Sequence, residues 1–239
     1  MNYEAKAAAL KLETRAFING EYVAARSGNT TVSRNPANGR EIARITACEQ
    51  EDVDLAVSAA KKAFDSGVWA NKPPRERKKI LLKFADLIEQ HREELALLET
   101  LDSGKTISDT MNVDVPDTIE TLRWHAEAID KVCDQMTAAP YDVVSMLVRE
   151  PIGVVGAVLP WNFPLFTAAW KFAPALATGN SIVLKPANQT ALSLIRLAGL
   201  SKEAGIPDGV FNVVPGRGAV VGQALGLHPD VDMISFTGS

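Results

Sequence analysis

Past residue 151 the chain alternates between short, nearly uninterrupted apolar runs and longer segments with helical spacing. The runs lie near 152–159, 181–185, 210–214 and 232–236, and the intervening segments near 164–177, 190–204 and 218–226. Apolar strands alternating with helices predict an α/β fold with an open parallel sheet covered on both faces. The best-defined unit is 152–188, IGVVGAVLPWNFPLFTAAWKFAPALATGNSIVLKPAN, which reads as strand, helix, strand. Its polar residues Asn162, Lys185 and Asn188 fall where the strands end. Ligands of open parallel sheets bind outside those carboxyl ends.

Before residue 151 the pattern differs. Residues 3–15 are rich in Ala, Leu, Lys and Glu and predict a surface helix. Asn19-Gly20 between two short apolar runs predicts a hairpin, and a second turn at 35–39 leads to a strand over 41–45. From Asp52, Val53, Ala56, Val57, Ala60 and Phe64 recur at helical spacing. Pro73-Pro74 breaks the chain and starts a helix whose apolar face is Ile80, Leu81, Phe84, Leu87 and Ile88. Another helix covers 93–100 and ends near Ser103-Gly104, and a longer one covers 109–132, with Pro116 at a break or near its start. Residues 136–151 suit extended structure, and an isolated ribbon needs a partner surface.

Composition narrows the class. At 239 residues, 46% hydrophobic and 23% charged, the chain is that of a globular protein of one or two domains. The net charge of −4 is dispersed, which favours neither nucleic acid nor a membrane surface. No apolar run is long enough to span a bilayer, and the first residues have no signal-peptide core. Two unpatterned cysteines, Cys48 and Cys133, give no disulfide framework and no metal spacing. A cytoplasmic location is the expectation.

The candidate chemistry is sparse. The Asn162 amide can donate a hydrogen bond to an oxyanion, or it can cap the helix that follows Pro164. Lys185 can bind ribose hydroxyls or a phosphate as a point charge, or be a solvated strand-end lysine. Gly216-Arg217-Gly218 with Gly222 follows a strand and opens a helix, where backbone can approach an anionic ligand. The same glycines also suit a plain tight turn. Neither cysteine has an obvious activating partner, and His91, His125 and His228 lie in unrelated contexts.

PWNFP, WKFAPALATGNSIVLKPA and the terminal SFTGS resemble the aldehyde dehydrogenase superfamily, and the resemblance runs from about Phe17 to Ser239. It implies a Rossmann-like coenzyme-binding domain over 152–239, preceded by hairpins and helices over 1–132 and an oligomerisation-arm strand over 133–151. It implies oxidation of an aldehyde with NAD or NADP through a cysteine thioester. By that resemblance Asn162 is the oxyanion donor. Leu159, Pro160, Trp161, Lys185, Asn188, Gly218, Gly222, Phe236, Gly238 and Ser239 border the coenzyme, and Phe163 and Trp170 line the aldehyde tunnel. The family's nucleophilic cysteine and general-base glutamate belong downstream of FTGS, so residues 1–239 alone are expected to be inactive. The alternative is a truncated, non-catalytic nucleotide-binding or subunit-pairing module.

The partners implied are a small aldehyde and, in a full-length form, a homodimer or homotetramer through 133–151. ETLDSGK, WHAEAIDK and VREP are most similar to amino-aldehyde enzymes, the γ-glutamyl-γ-aminobutyraldehyde type above all. NAD-preferring members often carry a glutamate two residues beyond the proline of the Lys-Pro pair, where this chain has Asn188.

Overall fold

The structure is a computed structural model that describes residues 3–238. Four parallel strands, β7 (Val154–Val158), β8 (Ser181–Lys185), β9 (Phe211–Val213) and β10 (Met233–Phe236), stand in the order β10-β7-β8-β9. The α/β fold expected from the alternating pattern is present. The sheet is mixed, however. The hairpin of β1 (Ala16–Ile18) and β2 (Glu21–Val23) joins its far edge, with β1 antiparallel to β9. Asn19 at φ 53° and Gly20 at φ 78° make the Asn-Gly turn that was expected.

β7, β8 and β9 are buried along their whole length, whereas β10 at the edge leaves Met233, Ile234 and Phe236 exposed. Val154 and Val183 pack on one side against Val53, Ala56, Val57 and Ala60 of α2 (Gln50–Asp65), with Leu225 of α9 (Gln223–Leu227). Val155, Ala157, Ile182 and Leu184 pack on the other side. There they meet α7 (Pro164–Ala177), α8 (Leu192–Ala204) and three helices from the first half: α3 (Pro74–Gln90), α4 (Arg92–Ser103) and α6 (Val115–Ala128). At the centre of that layer Phe84, Phe172 and Phe211 form a triangle of tilted and edge-on rings, with centroids 5.7–6.2 Å apart.

The first half departs from the sequence expectation in two places. The first helix, α1 (Tyr3–Ala8), is shorter than expected. The Glu13 carboxylate takes the amides of Thr14 and Arg15, and Thr14 O accepts from Thr46, which pulls the chain into extended pairing. The expected helix over 109–132 is broken. A short turn, α5 (Ile107–Asp109), leads into a π-helical turn over Thr110–Asp114 and then α6. Pro116 explains the widening, because its ring cannot fit an ordinary helical turn.

The remaining strands form two small ribbons. β3 (Thr30–Arg34) pairs antiparallel with β4 (Glu41–Thr46), as the turn at 35–39 foretold. β5 (Gln135–Thr137) pairs with β6 (Ser145–Leu147), and Met136, Val144 and Met146 on this ribbon are exposed.

Candidate functional site at the carboxyl edge of the sheet

The chain runs β7, β8, β9 in one direction across the sheet and then returns to lay β10 on the other side of β7. The strand order therefore reverses between β7 and β10. A crevice opens at such a switch point, outside the carboxyl ends of the strands. The ends of β7, β8 and β10 are adjacent in register, with Val158 paired to both Lys185 and Phe236. The sequence-derived residues gather along this edge.

Leu159 continues β7 and is buried, its N–H donating to Lys185 O at 3.1 Å. Pro160 follows, half-buried, and Trp161, Asn162 and Phe163 are exposed. Among the described residues the Asn162 side chain has no hydrogen-bond partner, so it does not cap α7. Pro164 occupies the first position of that helix, where its missing N–H costs nothing. The amide of Asn162 is thus held between prolines and left free to donate.

Lys185 is only 3% exposed, and no hydrogen bond or ion pair reaches its ammonium from any described residue. Burial without a counter-charge pulls its pKa down to about 8. A solvated strand-end lysine would show neither property. Asn188 is half-buried and makes no bond to α8, whose cap position is Ala191.

The glycines after β9 divide by role. A Cβ at Gly216 would lie 2.7 Å from Cys48 O, so packing alone requires that glycine. Gly218 has open space around it and Gly222 meets only Val158 at 3.8 Å. Packing therefore does not require a glycine at 218. The expected helix over 218–226 is a π-helical turn, Gly218–Gly222, followed by α9. Phe236, 60% exposed, ends β10, and Thr237 N donates to Val158 O. Gly238 is exposed, and Ser239 lies outside the described residues.

Of an acidic, aromatic groove between α6 and α7, sequence reading named only Trp170 as a site residue. The groove measures about 470 Å³ and is lined by Asp117, Glu120, Trp124, His125, Phe166 and Trp170. Trp124 and Trp170 are 65% and 54% exposed, and the Phe166 and Trp170 rings meet edge-on at 4.8 Å. The exposed tryptophans were the available signal, since large aromatics seldom face water without a reason. A larger groove, about 820 Å³, lies by Arg26, Glu49, Cys48 and Arg217, and of the residues weighed in the sequence it holds only Cys48 and the arginine of the glycine turn.

Neither cysteine is poised for attack. Cys48 is buried, and burial with the nearby Asp52 charge pushes its thiol up. Cys133 is exposed, and among the described residues its thiol has only the Lys131 carbonyl as a hydrogen-bond partner.

This arrangement can be compared with known proteins. The chain is 54% identical over 237 residues to an aminoacetaldehyde dehydrogenase of Pseudomonas aeruginosa, covering 99% of this chain and 48% of that protein. It is 50% identical to the NADP/NAD-dependent aldehyde dehydrogenase PuuC of Escherichia coli, again covering 99% and 48%. Its structure superposes on a γ-glutamyl-γ-aminobutyraldehyde dehydrogenase from Burkholderia cenocepacia with a TM-score of 0.98 and 53% identity, over 100% of this chain and 48% of the other. The chain thus spans about half the length of the relatives it matches. The sequence profile of the aldehyde dehydrogenase family matches residues 22–239, and the chain belongs to that family.

Proposed function

We propose that this chain is the coenzyme-binding part of an NAD- or NADP-dependent dehydrogenase that oxidises an amino-aldehyde to the acid. The observation that carries this reading is a pair of polar side chains without hydrogen-bond partners among the described residues, one just after β7 and one at the end of β8, where the strand order reverses. These are the exposed, unpaired Asn162 amide and the buried, unpaired Lys185 ammonium. Two such groups on adjacent strand ends fit a dinucleotide and a reacting carbonyl side by side.

The residues present fit the coenzyme. Lys185 and Asn188 would hold its adenosine ribose, and Gly218 and Gly222 would let backbone approach its phosphates. When bound, the coenzyme supplies the hydride acceptor. Asn162 donates its N–H to the oxygen on which charge develops. Phe163 and Trp170 wall the aldehyde's approach and keep water from it. The groove with Asp117, Glu120 and two exposed indoles suits an alkylammonium, through charge and cation–π attraction. The exposed β5–β6 ribbon serves subunit pairing in the assembled protein.

The test is NAD(P)H formation. A protein in which this chain is joined to the rest of a family member should oxidise aminoacetaldehyde or γ-aminobutyraldehyde faster than the uncharged aldehyde of equal length. Equal or inverted preference would refute the amino-aldehyde assignment. The setting of Cys48 and Cys133 favours a second reading for residues 1–239 taken alone, a nucleotide-binding or pairing module without turnover. That polypeptide should form no NAD(P)H, and turnover abolished by Cys133→Ala or Cys48→Ala would contradict this.

Coenzyme choice follows from Asn188. A neutral amide binds ribose hydroxyls less strongly than a carboxylate would, by about 1 kcal/mol, and does not repel a 2′-phosphate. In the active protein Asn188→Glu is expected to raise the kcat/KM ratio of NAD over NADP by about tenfold. An unchanged ratio would place the choice elsewhere.

A further inference from the structure

The two turns that face the crevice lack ordinary helix caps. α7 starts after Phe163 and α8 after Ala191, and neither offers a side-chain oxygen to the first amides of its helix. The missing acceptors come from elsewhere. Glu99 Oε2 accepts the Leu165 N–H at 3.3 Å, and Asp102 Oδ2 accepts the Leu192 N–H at 2.9 Å. Both carboxyls lie on α4, three residues apart and so on one helix face. The Ser193 hydroxyl also donates to Glu99 Oε2 at 3.3 Å, which ties α8 to the same group.

A second contact reaches the turn from the same region. Lys105 Nζ lies 2.5 Å from Asp114 Oδ2, an ion pair by distance without the alignment of a hydrogen bond. The same ammonium sits 3.5 Å above the Phe163 ring centroid. Phe163 is the neighbour of Asn162. Asp114 closes the π-helical turn and lies beside Glu99.

These groups are costly to keep. Glu99, Asp102 and Asp114 are at most 3% exposed. Burial, then the Asp114 carboxyl, raises the Glu99 pKa well above the usual carboxylate range, and burial raises that of Asp102. A serine at position 163 would satisfy the Leu165 amide at less cost, and one at 191 would cap the second or third amide of α8. What a local cap cannot do is fix the two turns relative to each other.

We propose that Glu99 and Asp102 are positioning residues, the first for the turn carrying Asn162 and the second for the turn carrying Lys185 and Asn188. One rigid helix outside the strand–helix–strand unit then sets the separation of the oxyanion donor and the coenzyme contacts. This rests on the functional reading above and adds α4 to it. Neither carboxyl touches the reacting atoms.

The experiment compares Glu99→Ala, Glu99→Gln, Asp102→Ala and Asp102→Asn. Amide hydrogen exchange on the chain itself needs no turnover, so it separates failure of the positioning from failure of the functional reading. Glu99→Ala should speed exchange at Leu165 by about tenfold and leave Leu192 unchanged, and Asp102→Ala should do the reverse.

In the active protein Glu99→Ala should lower kcat by about tenfold with coenzyme KM held, whereas Asp102→Ala should raise coenzyme KM by a similar factor with kcat held. Glu99→Gln keeps the acceptor oxygen and shape and should restore both readouts. If an Ala variant does not fold, the isosteres decide. Asp102→Asn also keeps an acceptor oxygen, so it and Glu99→Gln should both stay near wild type in kcat and coenzyme KM, and a loss above about threefold in either would overturn the assignment. Exchange that rises equally at both amides, or kinetic effects that do not split between kcat and KM, would overturn the assignment.

Discussion

Asn162→Ala is expected to lower kcat of the active protein by about 10²–10³, with coenzyme KM nearly unchanged. The size follows from where the side chain stands. It lies between Pro160 and Pro164, is exposed, and spends its amide on no protein acceptor. A donor that serves no protein acceptor is free for the oxygen on which charge develops, so its removal is felt in the transition state rather than in ground-state binding. Asn162→Asp should be at least as damaging, because it swaps the donor for an acceptor and a negative charge. A loss below about threefold in Asn162→Ala would mean that the oxyanion is held by other donors.

Phe172→Ala is expected to destabilise the protein by about 3–5 kcal/mol, and so lower its Tm by roughly 10 °C. Phe172 is fully buried and packs against Phe84 of α3 and Phe211 of β9, at 5.8 and 5.7 Å between centroids. The ring joins the helix that follows the Asn162 turn to the sheet and to the first-half helices. Phe84 and Phe211 hold the walls of the vacated space apart, so a cavity remains. Trp170→Ala on the exposed side of the same helix is the control. Equal melting shifts for the two variants would show that the triangle is not what holds α7.

The parallel part of the fold was legible because its signals are local. Strand and helix runs past residue 151, the Asn19-Gly20 turn and Pro74 as a helix start all follow from short-range periodicity or backbone chemistry. The pairing of β1 with β9 was not legible, since nothing local distinguishes an edge strand of a mixed sheet from one of a free hairpin. Pro116 announced a break but not its form, a π-helical turn.

At the site, Asn162, Lys185 and Gly218 were found as residues of the right type at strand ends. That the Asn162 amide and the Lys185 ammonium have no hydrogen-bond partner among the described residues was not legible in the sequence. Glu99 and Asp102 escaped notice because a carboxyl on an amphipathic helix reads as solvated. Only the distant amides of Leu165 and Leu192 explain their burial.

Lys185 gives the most direct test of the coenzyme site. Its pKa is near 8 because the buried ammonium has no partner. In the free protein that charge costs stability below about pH 8. The cost fades as pH rises toward the unfolded lysine value of about 10.4, so stability should rise over that window. A bound 2′-phosphate favours the charged form, so the sign for binding is opposite. The measurement is the NADP dissociation constant across this pH range, in the wild type and in Lys185→Ala. Affinity should be full below pH 8 and weaken as pH rises through about 8, while the variant binds weakly with a flatter profile. Wild-type affinity without a break near that pH, or a Lys185→Ala variant that binds as tightly, would contradict a coenzyme site at the carboxyl edge of β7 and β8.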